Sequence, residues 1–402
     1  MSDKASTLDN SKKGINLKQY GMVIALVVIF LIFSALSGGT NASPMNINNL
    51  IMQNSYVVIL AIGMLLCIIT GNVDLSVGSV VAFTGAIAAI GMLDTGYPII
   101  VVCLVVLIVG VLIGMWQGFF IAYLGVPPFI VTLANMLIFR GLTMVVLNGQ
   151  TKGPLPDAFK KISTGYFPTL KLVITNANGT QTKLDLIALL AGILATLIII
   201  FVEIKSLKTK KKYGFDIPPR WQTILKIVVV ACGINFITFK LASYNGLPII
   251  LGILLVLILI YSFITNRMVV GRQIYAVGGN VKAALLSGIK TKKVMFWVYT
   301  NMGLMAAVAG LVLAARNGSA TPKAGDGFEL DAIASCYIGG ASAYGGTGTI
   351  VGAVVGALIM GILNNGMSII GWSVDIQRVV KGLVLLGAVT VDLISKRKGK
   401  AA

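Results

Sequence analysis

Apolar stretches of about 18 to 25 residues follow one another through nearly the whole chain, and a bilayer core accepts such stretches as helices whose backbone groups pair internally. They fall near 20–37, 50–70, 74–93, 97–121, 128–147, 184–204, 222–242, 247–265, 294–315, 350–370 and 374–395. A further apolar piece, 330–343, is too brief for an upright crossing and reads as re-entrant or broken. With 57% hydrophobic and only 11% charged residues, the chain is predicted to be an all-α polytopic membrane protein with about 10–12 membrane segments, some of them broken. The expected organisation is a tail at 1–19, one transmembrane domain at 20–395 and a tail at 396–402. The first apolar run follows a polar tail and lacks a small-residue cleavage site behind it, so it reads as a retained span.

A net charge of +19 would suggest nucleic acid in a soluble protein, but here the cations gather in particular loops, the pattern of orientation by positive charge, and no nucleic-acid partner is expected. They lie in the N-terminal tail (Lys4, Lys12, Lys13, Lys18), the loop 205–220, the stretch from Arg267 to Lys293, and the tail "SKRKGK". With about twelve crossings, counting 330–343, all four fall on one side, which places both termini in the cytoplasm. The loop 148–183 opposes this: it counts as extracytoplasmic yet carries Lys152, Lys160, Lys161, Lys171 and Lys183. Its Asn178-Gly179-Thr180 matches a glycosylation acceptor, a tripeptide common by chance.

The four cysteines sit in apolar segments at unrelated spacings and read as buried thiols. There is no histidine, which removes histidine metal sites, Ser-His and Cys-His nucleophiles and a histidine proton relay together. No GxxxxGK[ST] occurs, so neither ATP nor another cofactor is expected on this chain. Glycine spacings such as Gly348, Gly352 and Gly356, or Gly356 and Gly361, suit close helix packing rather than a phosphate loop.

Two stretches read as broken helices, "CIITGNVDLSVGSVVAFTG" (67–85) and 327–361, and a paired break in two halves points to an internal repeat. Asp74 is placed to cap the helix after it, and Glu329 and Asp331 to cap 332–343. Asp375 lies within helical reach of Arg378 and Lys381, which suggests a local ion network. Arg140 interrupts an apolar run and must face protein, water or the interface. Asn72, Asp74, Asn135, Asn301, Asn364 and Asn365 are the candidate polar groups of a substrate pathway, although interhelical hydrogen bonding is the commoner use of such asparagines.

The stretch "GGNVKAALLSGIKTKK" (278–293) is polar and basic between two apolar runs. Asn280 is a good N-cap, 281–287 supplies two turns, and Gly288 can end them. Ala283, Ala284 and Gly288 leave one side small enough to enter a cleft in another protein. A helix lying on the membrane surface would instead carry larger apolar residues on its lower face.

The pieces "GNVDLSVGS", "PPFIVTLANMLIFRGLTMVV", "GRQIYAVGGNVKAALLSGIK", the run 309–371 and "QRVVKGLVLL" together resemble the membrane-spanning permease subunits of bacterial ABC importers for monosaccharides, of the ribose and xylose type. The resemblance covers most of the chain outside about 165–245, and the helical hairpin inserted at 184–242 resembles the longer xylose and multiple-sugar branch. It implies a homodimer in the membrane lipid, a separate cytoplasmic ATPase subunit that carries ATP and magnesium, and an extracytoplasmic sugar-binding protein. It further implies that the loop 266–293 couples to the ATPase through Asn280, Lys282, Ala283, Ala284, Gly288 and Ile289. Such helices carry E-A-A-x-x-x-G, and Lys282 stands here where glutamate is usual. The chain is then a transport subunit rather than an enzyme. The competing readings are an autonomous ion-coupled sugar carrier and a membrane enzyme acting on lipid-linked sugars; the latter lacks a carboxylate pair or a metal-ligand cluster.

Overall fold

Helix boundaries follow the proline and polar punctuation of the chain. The computed structural model describes residues 17–175, 181–214 and 219–400. After α1 (Leu17–Leu36), the Ser43 hydroxyl caps α2 (Pro44–Ile69) by accepting from the Asn46 backbone N–H at 3.3 Å, and Pro44 occupies the first turn, where no backbone donor is missed. Next come α3 (Val77–Leu93), α4 (Ile99–Ala122) behind Pro98 and α5 (Pro128–Val146) behind Pro127. A short helix α6 (Asp157–Thr164) and an antiparallel pair, β1 (Lys171–Thr175) and β2 (Gln181–Asp185), lead into α7 (Leu186–Lys212), capped by Asp185. Then follow α8 (Arg220–Ala242), α9 (Ile249–Arg267), α10 (Val269–Gly279) and α11 (Val281–Leu286). The chain closes with α12 (Thr291–Asn317), α13 (Phe328–Ile338), α14 (Ile350–Ile369) and α15 (Val374–Lys400).

Eight described helices are long and apolar enough to cross a membrane: α2, α4, α5, α7, α8, α9, α12 and α14. The apolar parts of α1 (Gly21–Leu36) and α3 are shorter. The segment expected at 330–343 is the 11-residue α13, and α15 continues past 395.

Two long helices form the centre. In both α2 and α12, 83% of the most apolar window is buried, against 11% for α7 and 6% for α8. The packing is reciprocal: α12 takes α3 and α4 against it, while α2 takes α13 and α14. Each central helix is followed by a break, at 70–76 and at 318–327, then by a short helix and a longer one; the second break lies ahead of the stretch expected at 327–361. Small residues make the crossings possible. Gly303 of α12 lies on Gly110 and Gly114 of α4, Gly310 on Val81 and Thr84 of α3, and Gly63 of α2 on Met302 and Met305. Gly352 and Gly356 seat α14 on Gly339 and Ser335, and Gly361 seats it on Asn54 of α2. The hairpin α7–α8 is peripheral and ties itself together through Lys226–Glu203 at 2.8 Å and Asn235–Thr196 at 2.8 Å.

Contacts between loops identify the two ends of the bundle. At one end the Gly346 N–H donates to the Ile69 carbonyl at 2.8 Å, beside Gly278 of α10. At the other, Lys152 pairs by its backbone with Ala320 and Tyr166 with Pro248. Two of the five lysines of the basic stretch 148–183 are paired at this second end: Lys152 with Asp94, and Lys160 with Asp157 at 2.6 Å. The Lys160 ammonium, by hydrogen bond and charge, holds the Asp157 carboxyl below the usual carboxylate range. Phe159 and Ser163 anchor α6 by burial, so these lysines sit on a fixed cap. Lys4, Lys12, Lys13 and Asn178–Thr180 lie outside the described residues.

Candidate functional site

The helix α11 is fixed at both ends by its sequence. Asn280 Oδ1 accepts from the Ala283 N–H at 3.0 Å, satisfying one of the donors that a helix start leaves free. At the far end Gly288 N–H reaches the Leu285 carbonyl at 3.0 Å and Ile289 N–H the Ala284 carbonyl at 3.0 Å. This closure sets Gly288 at φ +81°, where a side chain is strained. The small residues divide: Ala284 is buried in the protein's own main core and lets α11 lie close, while Ala283 and Gly288 are exposed. The outward surface is more apolar than the alanine pattern suggests, with Leu286 89% and Leu285 60% exposed, and with Val281 and Lys282 exposed beside them. This corrects the expected small-sided face: Ala284 is turned inward, and the surface left for a cover is led by two leucines, the larger apolar residues that a membrane-surface helix also carries.

Deeper in the bundle, four buried side chains join α3, α4 and α5. Asp74 Oδ1 accepts from the Ser76 N–H at 2.8 Å and from its hydroxyl at 2.7 Å; since Ser76 is the residue before α3 and the helix has no side-chain cap, Asp74 braces the preceding turn instead of capping the helix as expected. Asp74 Oδ2 accepts from Gln117 Nε2 at 2.6 Å, and Gln117 Oε1 accepts from Asn135 Nδ2 at 3.0 Å. Two predicted residues, Asp74 and Asn135, are thus brought together by Gln117, which sequence reasoning passed over. Its signal was legible: it is the only polar amide in the apolar 24-residue α4. A buried network whose members answer one another fixes helix positions.

The other half carries a counterpart. Asp331, 3% exposed in the first turn of α13, meets Lys381 of α15 at 3.0 Å and accepts from Asn364 Nδ2 of α14 at 3.3 Å. This corrects two expectations. The residue before α13 is Gly327, with no side-chain cap, and Asp331 spends its carboxylate on the ion pair instead. Arg378 and Lys381 do not form a local network with Asp375: α15 turns them toward the preceding segment, where Arg378 meets Asp326 at 2.8 Å. Each half thus has a buried aspartate at the start of its short helix: Asp331, within α13, meets α14 and α15 directly, while Asp74, just ahead of α3, meets α4 and reaches α5 through Gln117.

The remaining predicted residues scatter. Asn72 is half-buried after the first break and lines two cavities of about 270 and 220 Å³, shared with Pro127 and Pro128. Asn301 of α12 accepts from the Tyr261 hydroxyl of α9 at 2.5 Å. Asn365 exchanges hydrogen bonds with Asn46 at 2.8 and 3.1 Å, tying α14 to α2. Arg140 faces protein: its guanidinium donates to the carbonyls of Pro322 at 3.1 Å and Ala324 at 2.6 Å.

Comparison with known proteins places this architecture. A family profile described as the permease component of a branched-chain amino acid transport system matches residues 46–389. The xylose transport system permease protein XylH of Escherichia coli (strain K12) is 37% identical over 386 residues, covering 96% of this chain and 94% of its own. The protein of that name from Haemophilus influenzae is also 37% identical, over 96% of this chain and 99% of its own. The ribose import permease protein RbsC of Escherichia coli (strain K12) is 34% identical over 370 residues, 92% of each chain. No solved structure matches the chain. A multi-helical bundle with broken helices, matched along nearly its whole length, belongs to this family of transport-system permease components.

Proposed function

We propose that this chain is the membrane permease subunit of an ABC importer that carries a monosaccharide, xylose or a related pentose or hexose, into the cell. The structural observation that carries the reading is α11, a helix capped at both ends and exposing Leu285 and Leu286 at the end of the bundle where α2 finishes and α12 begins. Counted as twelve passages, in whole or in part, by α1 to α5, α7 to α9 and α12 to α15, the chain would carry both termini at that same end. Its basic flank, Arg267, Arg272, Lys282, Lys290, Lys292 and Lys293, argues that this end is cytoplasmic.

In this reading ATP and magnesium act on a separate ATPase subunit, and closure of that subunit moves α11. Ile289 and Lys290 lead directly from α11 into the central α12, so the displacement reaches the helix on which α3 and α4 pack. The sugar-binding protein would dock on the opposite end, near α6 and the 318–327 loop, and a second copy of the chain would complete the permease. Asn72 is favoured as a pathway residue because it faces cavities; Asp74 and Asn135 serve better as the frame around it. Xylose is the first sugar to test, because XylH is the more similar of the two named permeases.

The deciding experiment is co-purification from the native membrane, followed by reconstitution with the recovered partners. Uptake of labelled xylose should require ATP inside the vesicle together with a binding protein. Accumulation by the chain alone under a sodium or proton gradient would instead establish an autonomous carrier.

A further inference from the structure

A cavity of about 630 Å³, separate from those at Asn72, lies between α9, α10 and α12, with Leu66 of α2 among its lining residues. Its lining joins two lysines to apolar side chains, with the amides of Gln273 and Asn301 among them. Lys290 and Lys293 stand at the start of α12, and neither has an acidic partner among the described residues. Farther along come Ile264, Val294 and Trp297, and the Tyr261 hydroxyl is already engaged with Asn301. Leu255, Leu259 and Phe263, on the outer face of α9, are exposed, as is Trp297. In a membrane such surfaces meet lipid, and a half-exposed tryptophan near cations marks the headgroup level.

From this arrangement we infer that the groove is a binding site for one anionic glycerophospholipid. The headgroup phosphate lies against Lys290 and Lys293, and the acyl chains lie along Ile264, Val294 and Trp297. Two unpaired cations at one end of an apolar groove complement a molecule that is anionic at one end and hydrocarbon beyond it. A zwitterionic lipid brings its own cation beside its phosphate and so adds no net negative charge against the two ammonium groups, and a free phosphate would leave the apolar wall uncovered. Gly288 also lines the groove, so the bound lipid would steady the joint between α11 and α12. The site requires only that the chain reside in a membrane, and its failure would leave the transport reading intact.

The test uses the full chain, delipidated in detergent and offered phosphatidylglycerol and phosphatidylcholine of identical acyl chains, with adducts counted by native mass spectrometry. Wild type should retain phosphatidylglycerol in preference. At about 1 kcal/mol for each lysine, K290Q/K293Q should weaken that retention by roughly thirtyfold. K290R/K293R should keep the preference, and Ile264→Trp, which fills the apolar part, should reduce retention of both lipids. Each variant's elution profile and thermal midpoint verify its fold. Equal retention of the two lipids by wild type, undiminished phosphatidylglycerol on the folded glutamine variant, or displacement of the lipid by millimolar inorganic phosphate would each overturn the assignment.

Discussion

Gly78 and Gly325 meet backbone to backbone: a Cβ built on either one would collide with the other's carbonyl oxygen. Gly78 belongs to the first turn of α3 and Gly325 lies just ahead of α13, so the starts of the two short helices approach each other across the molecule. Only glycine permits that approach, and at Gly325 the φ of +71° adds a second reason. The two halves of the bundle are joined here by main chain rather than by side chains.

Gly78→Ala should therefore destabilise the bundle. Its methyl group would meet the Glu329 carboxylate, which can swing aside, and the Gly325 carbonyl, which cannot leave without shifting the segment before α13. Overpacking of this kind costs about 1–3 kcal/mol. Gly233→Ala is the control, since nothing lies within 4 Å of a Cβ there. Thermal midpoints in detergent should fall for the first and stay level or rise for the second; equal midpoints would remove the close approach as a structural constraint.

The Asp331–Lys381 pair predicts strong non-additivity. With the carboxylate almost fully buried, Lys381→Met leaves a charge in apolar surroundings, and Asp331→Asn strands the ammonium. Each single change should cost about 3–5 kcal/mol, whereas Asp331→Asn with Lys381→Met should recover much of the loss because no unpaired charge remains. A double-mutant cycle on thermal or chemical unfolding measures this, and simple addition of the two losses would show that the pair does not act as a unit.

How much of this was legible in the sequence depends on the range of the forces involved. The spans, the first helix break and the caps of α11 were legible because hydropathy, proline, Asn280 and Gly288 act within a turn or two of themselves. Helical spacing suggested that Asp375 would meet Arg378 and Lys381, yet their partners Asp326 and Asp331 lie 52 and 50 residues away. Ala284 matched a docking pattern by its place in the string, but which side of a short helix faces inward is set by its neighbours α10 and α12. Gln117 was passed over for the same reason: its importance comes from Asp74 and Asn135, which only the packing of α3, α4 and α5 brings to it.

Gln117→Leu tests that three-helix network. It removes the donor to Asp74 Oδ2 and the acceptor for Asn135 Nδ2, leaving two buried groups short of a partner. Each orphaned group costs about 1–3 kcal/mol. Asn135→Leu on the same background should add little, since its hydrogen bond is already gone. Should the two substitutions cost as much together as the sum of each alone, the network would be only a set of independent contacts.

The sharpest test of the transport reading lies on α11, where stability and coupling can be separated. Leu286 is nearly free of contact with the rest of the chain, so Leu286→Glu should leave the thermal midpoint of the isolated permease unchanged. In the assembled transporter the same change places a charge in an apolar seat. It should weaken ATPase association and abolish sugar-stimulated hydrolysis. Ala284→Leu should do the reverse, because Ala284 is packed inward and a larger side chain there lifts α11 from its own core, lowering the midpoint of the isolated chain. A Leu286→Glu variant that retains full ATPase stimulation would mean that α11 rests on the lipid surface and that the contact with the ATPase must be sought elsewhere at that end of the bundle.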